Sequence, residues 1–170
     1  AVAAGIVASL ARPGGNITGL SFFIEELNVK RLELLKEAYP RANRVAVLAP
    51  EPFGLPSNIL PAMELAAKSL KMVLQRFDVR EPMDFESAFV AMAKQRFDAV
   101  VIFEDTMLVA NAGAVATLAA KHRVPSIGFI EIGDAGGLMA YGVDLPAMSR
   151  RSAVFIDKIL KGTKPNDLPI

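Results

Sequence analysis

Four short apolar segments begin at Val45, Val73, Ala99 and Pro125, at intervals of 28, 26 and 26 residues. The first three are each followed by a stretch with helical periodicity. This spacing is the strongest constraint on the fold. Strand–helix units at that interval build parallel strands joined by right-handed crossovers, which is the doubly wound α/β sheet. The segments share no sequence pattern, so they are not a sequence repeat. RVAVLA (44–49) reads as a short apolar strand, and DAVVIF (98–103) as continuously apolar, as a central strand buried on both faces is. VLQRFDV (73–79) instead alternates, with Val73, Gln75, Phe77 and Val79 on one face and Leu74, Arg76 and Asp78 on the other. That many polar groups suit a sheet edge. An apolar third strand and a polar second one predict the order 2-1-3-4.

The helical stretches follow from their apolar spacing. Residues 25–38 present Leu27, Leu34, Leu35 and Ala38 on one face, with Pro40 just beyond the end. A helix opening near Ser57 has Pro61 in its first turn and Met63, Ala66 or Ala67, and Leu70 facing the core. Residues 83–94 place Phe85, Ala88, Phe89 and Met92 at i, i+3, i+4 and i+7. Residues 108–121 turn Ala112, Val115 and Ala119 inward. Residues 145–160 carry Met148, Phe155 and Ile159 and stop at Gly162. Short strands are expected at 125–129 and 137–143. At the front, 2–11 reads as a short helix closed by Pro13 and Gly14-Gly15, and 17–23 (ITGLSFF) as a strand. The tail TKPNDLPI reads as extended.

Composition removes several classes of function. Lys plus Arg number 19 and Asp plus Glu 18, for a formal charge of +1. That balance, without any block of like charge, argues against a nucleic-acid or polybasic membrane partner. There is no Cys, so thiolate metal sites, disulfides and Cys nucleophiles are excluded. A single His, His122, disfavours a multi-His metal site or a Ser-His triad; it reads as a helix C-terminal residue favoured by the dipole. With Gly counted and Tyr left out, the apolar fraction is about 58%, against roughly 45–50% for a typical soluble domain. No apolar run approaches the roughly 20 residues of a membrane span. Two readings of the excess stand side by side: fully buried parallel strands, or a surface that normally faces something else. The first 11 residues lack the cationic start of a signal peptide.

In an open parallel sheet, ligands bind beyond the carboxyl ends of the strands. Here that rim is made of 50–57, Arg80-Glu81, Glu104-Asp105-Thr106 and Phe129-Ile130-Glu131. Neither a dinucleotide G-x-G-x-x-G, nor a P-loop, nor a G-x-S-x-G elbow occurs. A phosphorylated receiver domain would find its Asp in Asp105, but not its acidic pair or its Lys. The rim instead offers hydrogen-bonding and aromatic groups, Phe53, Ser57, Asn58, Asp105, Thr106, Phe129 and Glu131, which suit a binding pocket better than a reaction centre. Ser57 reads as an N-cap or as an anion contact at a helix N-terminus. Asp105 reads equally as a cap and as a ligand contact. No nucleophile–base pair or metal cluster assembles, so the chain is not expected to be an enzyme, and no cofactor is expected.

The segments GIVASLARPGGNITGLS, KRLELLKEAYP, RVAVLAP, AAKHRVPSIGF, AGGLMAYGVDLPAMSRR and DKILKGTKP, in this order and along nearly the whole chain, strongly resemble the substrate-binding proteins of ABC-type uptake systems. The branch is the one related to aromatic amino-acid binders. The resemblance implies a Rossmann-like lobe of the type I periplasmic-binding-protein fold, as part of a two-lobe protein. Residues 1–24 would end an N-terminal lobe and form a first hinge, 25–140 would be the C-terminal ligand-binding lobe, and 141–170 would form a second hinge and a helix returning toward the first lobe. The apolar excess would then reflect elements without their usual neighbours. Site residues carried over are Ser21 in the first hinge, Ser57, Asp105, Glu131, Tyr141 of a Tyr-Gly hinge, and Asp144. Asp144 stands where Asn is more usual, and Thr106 where many members have Pro. The implied function is an extracytoplasmic receptor, periplasmic or membrane-anchored, that closes on a small organic solute and docks on a membrane permease. A homodimer through surfaces left by the missing lobe is a further expectation. The alternative is a ligand-sensing regulatory domain of the same fold.

Overall fold

The structure is a computed structural model that describes residues 2, 5–51 and 58–170. The chain divides into two compact units: Ile24–Gly142, and Ala1–Phe23 with Val143–Ile170.

The larger unit runs α1 (Ile24–Ala38), β1 (Arg44–Pro50), α2 (Ile59–Ser69), β2 (Val73–Val79), α3 (Asp84–Lys94), β3 (Ala99–Ile102), α4 (Thr106–Ala110), α5 (Ala112–Lys121), β4 (Ser126–Gly128), α6 (Ile130–Asp134) and β5 (Met139–Ala140). All strands are parallel, in the order β2-β1-β3-β4-β5. This is the doubly wound sheet predicted from the strand spacing, with the polar β2 at its edge. Alternation along β1 and β3 sends side chains to opposite faces. Ala46, Leu48, Val100 and Ile102 pack against Phe85, Phe89 and Met92 of α3 and Val115 and Ala119 of α5. Val45, Val47, Ala49, Ala99 and Val101 pack against Leu32 and Leu35 of α1 and Ile59, Met63 and Ala67 of α2. Helices thus cover both faces, and the C-terminal ends of β1, β3, β4 and β5 form one open rim.

Three helices of this unit stop in the same way. After α2, α3 and α5, a basic residue takes the left-handed conformation: Lys71 (φ 56°), Arg96 (φ 57°) and Arg123 (φ 55°). The next residue, Met72, Phe97 or Val124, is buried and donates its N–H back to Ala67, Met92 or Ala119 at 2.8–3.0 Å. The buried side chain anchors each turn, so a residue other than Gly is held there against its preference.

In the smaller unit the helix expected at 145–160 is present as α7 (Leu145–Leu160). Asp144 caps it, its Oδ1 accepting from Ala147 N at 2.7 Å. No residue of α7 is fully buried. Thr18 Oγ1 donates to the Leu168 carbonyl at 2.7 Å, and Ile170 N donates to the Leu10 carbonyl at 2.8 Å. Among the described residues no helix is long and apolar enough to cross a membrane.

Several expectations need correction. Residues 17–23 form no strand and the described residues of 2–11 form no helix. Strand preference is expressed only where a partner strand is present, and 17–23 pair with none among the described residues. The 108–121 helix is two, broken at Asn111, whose Nδ2 donates to the Met107 carbonyl at 2.8 Å. The 137–143 strand shrinks to Met139–Ala140, and a short helix, α6, fills the connection before it. The N-cap position of α2 is Asn58, while Ser57 lies outside the described residues. The tail makes a 3₁₀ turn at Pro165–Asp167 and buries Leu168. The buried face of α1 is Asn28, Arg31, Leu32 and Leu35 rather than the expected Leu27, Leu34, Leu35 and Ala38.

Candidate functional site

The rim at the carboxyl ends of the strands carries most of the predicted residues that belong to this unit. Glu104 and Asp105 follow β3, Glu131 lies in the first turn of α6 after β4, and Tyr141 follows β5 directly. Strands in one sheet lie about 4.8 Å apart, so these positions line a short stretch of one edge. Asp105 is half-buried and extended, and its Oδ1 accepts from Met107 N at 2.8 Å, capping α4. Its second oxygen has no partner among the described residues. Thr106 and Tyr141 are exposed, and Glu131 is half-buried. Phe129 is on the same rim, but its side chain is 1% exposed and belongs to the core beneath. Asp144 and Ser21 lie in the smaller unit. Phe53 and Ser57 fall outside the described residues.

Beneath the rim sits a buried polar cluster that the helical pattern did not reveal. Arg31 of α1 is 0% exposed. Its Nε donates to the Tyr141 carbonyl at 2.7 Å, its Nη1 to Asn28 Oδ1 at 3.2 Å, and its Nη2 to Glu104 Oε2 at 3.1 Å. Asn28, also fully buried, donates its Nδ2 to the Ile24 carbonyl at 2.7 Å. No buried side-chain nitrogen or oxygen of the described residues lacks a partner. Burial pushes the Arg31 guanidinium below its usual value, and the hydrogen bond and charge of Glu104 oppose that shift. Arginine still stays protonated under such pressure. Gly142 packs closely here: a methyl on it would stand 3.1 Å from Arg31 Nη2, tighter than an ordinary contact, and 3.5 Å from Phe129 Cα. Asn28, Arg31, Leu32 and Leu35 fall at i, i+3, i+4 and i+7, so two polar residues share the buried stripe.

The rim's chemistry is that of recognition. Its free groups are carboxylates, a hydroxyl and a phenol beside one buried guanidinium whose three nitrogens each have a partner. It can accept and donate hydrogen bonds to a small polar solute and present an aromatic edge to it. No described group stands as a nucleophile beside a base.

The structural likeness to known proteins runs along the chain. A crystal structure of an ABC domain in complex with L-Trp from Streptococcus pneumonia superimposes with a TM-score of 0.81 at 22% identity, covering 99% of this chain and 57% of that one. A conserved domain protein from Vibrio cholerae gives 0.80 at 24% identity, covering 99% and 56%. A curated relative, the tyrosine-binding protein of Clostridioides difficile, is 23% identical over an alignment of 170 residues that covers 99% of this chain and 48% of the relative. The chain therefore spans about half the length of the proteins it matches. A family model described as ABC transporter substrate binding protein matches residues 1–170. By that end-to-end match the chain belongs to the ABC transporter substrate-binding protein family.

Proposed function

We propose that this chain is the rim-bearing half of an extracytoplasmic solute receptor that takes an amino acid or a related small organic compound and serves an ABC permease. The observation that carries the reading is the rim itself. Asp105, Glu131 and Tyr141 stand at the exits of three successive strands of an open parallel sheet, where solutes bind in such sheets. The family match and a relative that binds tyrosine support an amino-acid-like solute. Closure would be a hinge motion in which a second lobe covers the solute on this rim and shifts an open–closed equilibrium. Ser21 and Asp144, in the segments that flank the larger unit, are the proposed hinge-side contacts. Asp105, Thr106, Glu131 and Tyr141 are the proposed rim contacts, together with Phe53 and Ser57 from the sequence between β1 and α2. Phe129 supports the rim from below.

One lobe supplies part of the contacts, so the isolated chain is expected to bind weakly. Amide chemical shifts read such binding. Titration with a panel of amino acids and aromatic acids should move the amides of Asp105, Thr106, Glu131 and Tyr141 with one chemical class. No movement on the rim with any class, or movement confined to another surface, would overturn the reading.

A further inference from the structure

The ladder holds the exit of β5 poorly. That strand has two residues, paired through Ile127–Met139 and Gly128–Ala140, and Tyr141 N adds one bond to the Gly128 carbonyl at 2.9 Å. β3 and β5 are not neighbours, since β4 lies between them. No ladder bond therefore joins the exit of β5 directly to the exit of β3. Arg31 spans that gap: Nε reaches Tyr141 and Nη2 reaches Glu104, the residue before Asp105. A buried guanidinium costs desolvation that a packed apolar side chain would not, so stability alone is a poor account of it. Its forked, planar donors suit a single arrangement of two acceptors, which Lys cannot reproduce.

We propose that Arg31 is the positioning residue of the rim, holding the exit of β5 against the exit of β3 and so setting where Tyr141 stands relative to Asp105. Gly142 serves the same purpose by leaving room for the guanidinium. The consequence for solute binding rests on the receptor reading above; the positioning does not.

The test is amide hydrogen exchange on the whole chain without solute, in wild type, Arg31→Lys, Gly142→Ala and the double variant. Hydrogen bonds to charged groups set the scale, so Arg31→Lys should lower protection of the Tyr141 amide by about tenfold or more beyond any change at Val47 and Val101 in the sheet centre. Gly142→Ala, which crowds the guanidinium, should give the same selective loss, and the double variant should add little to either. Equal loss across the sheet, no loss at Tyr141, or additive effects would overturn the proposal. If Arg31→Lys does not fold, Gly142→Ala decides: selective loss at Tyr141 supports the positioning, and uniform or absent loss removes it. With L-tryptophan as probe, the half-saturating concentration on the rim amides should rise several-fold in Arg31→Lys. A wild type that ignores L-tryptophan would count against an aromatic amino-acid solute while the exchange data still decide the positioning.

Discussion

Arg31 Nη2 stands 3.1 Å from Glu104 Oε2 with side-chain exposures of 0% and 7%. Two charges have thus been taken almost completely out of water, and each depends on the other. Removing one partner of such a pair leaves an uncompensated buried charge, at a cost of about 3–5 kcal/mol. Arg31→Met should lose that much in denaturant unfolding, because it strands both the Glu104 carboxylate and the Tyr141 carbonyl. Arg31→Met combined with Glu104→Leu should recover much of it, since well-packed apolar residues often replace a buried pair without loss. A single variant that loses under about 1 kcal/mol would mean that water reaches Glu104 freely.

A second ion pair is on the surface and works differently. Glu86 Oε1 lies 2.8 Å from Lys121 Nζ and 3.1 Å from His122 Nε2, joining α3 to the end of α5. Its hydrogen bonds, first to Lys121 and then to His122, hold the carboxyl below its ordinary value of 4.5. A carboxyl depressed in the native state contributes stability that is present above its unfolded value and lost as pH falls through the native one. Glu86→Gln should therefore be slightly less stable than wild type at pH 7 and match it in strong acid. Urea midpoints across that range measure the difference. A gap that stays constant to pH 2 would show that the charge plays no part.

The left-handed helix ends give a third expectation. Lys71 holds φ 56° and is exposed. A residue other than Gly pays about 1–2 kcal/mol for that conformation, while Gly costs about 0.5–1 kcal/mol in chain entropy. Lys71→Gly should thus stabilise the protein by up to about 1 kcal/mol, and Lys71→Val should destabilise it. Thermal unfolding of both would show it. A loss with Gly would mean that the Lys71 side chain makes a contact worth more than the strain.

The sheet was legible in the sequence because its signal is physical and local. The apolar residues 45–49 and 99–102 are buried throughout, and the polar residues of 73–79 mark the edge. The same reliance on apolar spacing misplaced the face of α1. Leucines at 27 and 34 suggested one stripe, while Asn28 and Arg31 occupy the buried one, and no periodicity rule expects a buried arginine. Residues 17–23 carry strand-forming side chains, yet strand formation depends on a neighbour that spacing along the chain does not supply. At the rim, the strand exits point to Asp105 and Glu131, while Tyr141 follows only from the family resemblance. Phe129 is buried in the core, because an aromatic at a strand exit can turn inward as easily as outward.

Asp105 is where capping and solute contact are separable. Its Oδ1 accepts from Met107 N, so Asp105→Ala would disturb α4 and report on the fold as much as on the rim. Asn caps helices about as well as Asp, so Asp105→Asn keeps the Oδ1 contact and removes the charge. Its stability should stay within about 0.5 kcal/mol of wild type, as for a surface change that preserves a cap. If the carboxylate receives a cationic or hydrogen-bond-donating group of the solute, the variant should lose binding with the fold intact, read by the same amide titration on the rim. A charge-assisted hydrogen bond of that kind is worth about 1.5–3 kcal/mol, or roughly ten- to a hundredfold in affinity. Unchanged binding would return Asp105 to the role of a cap, and the search for the charge-reading group would move along the rim to Glu131.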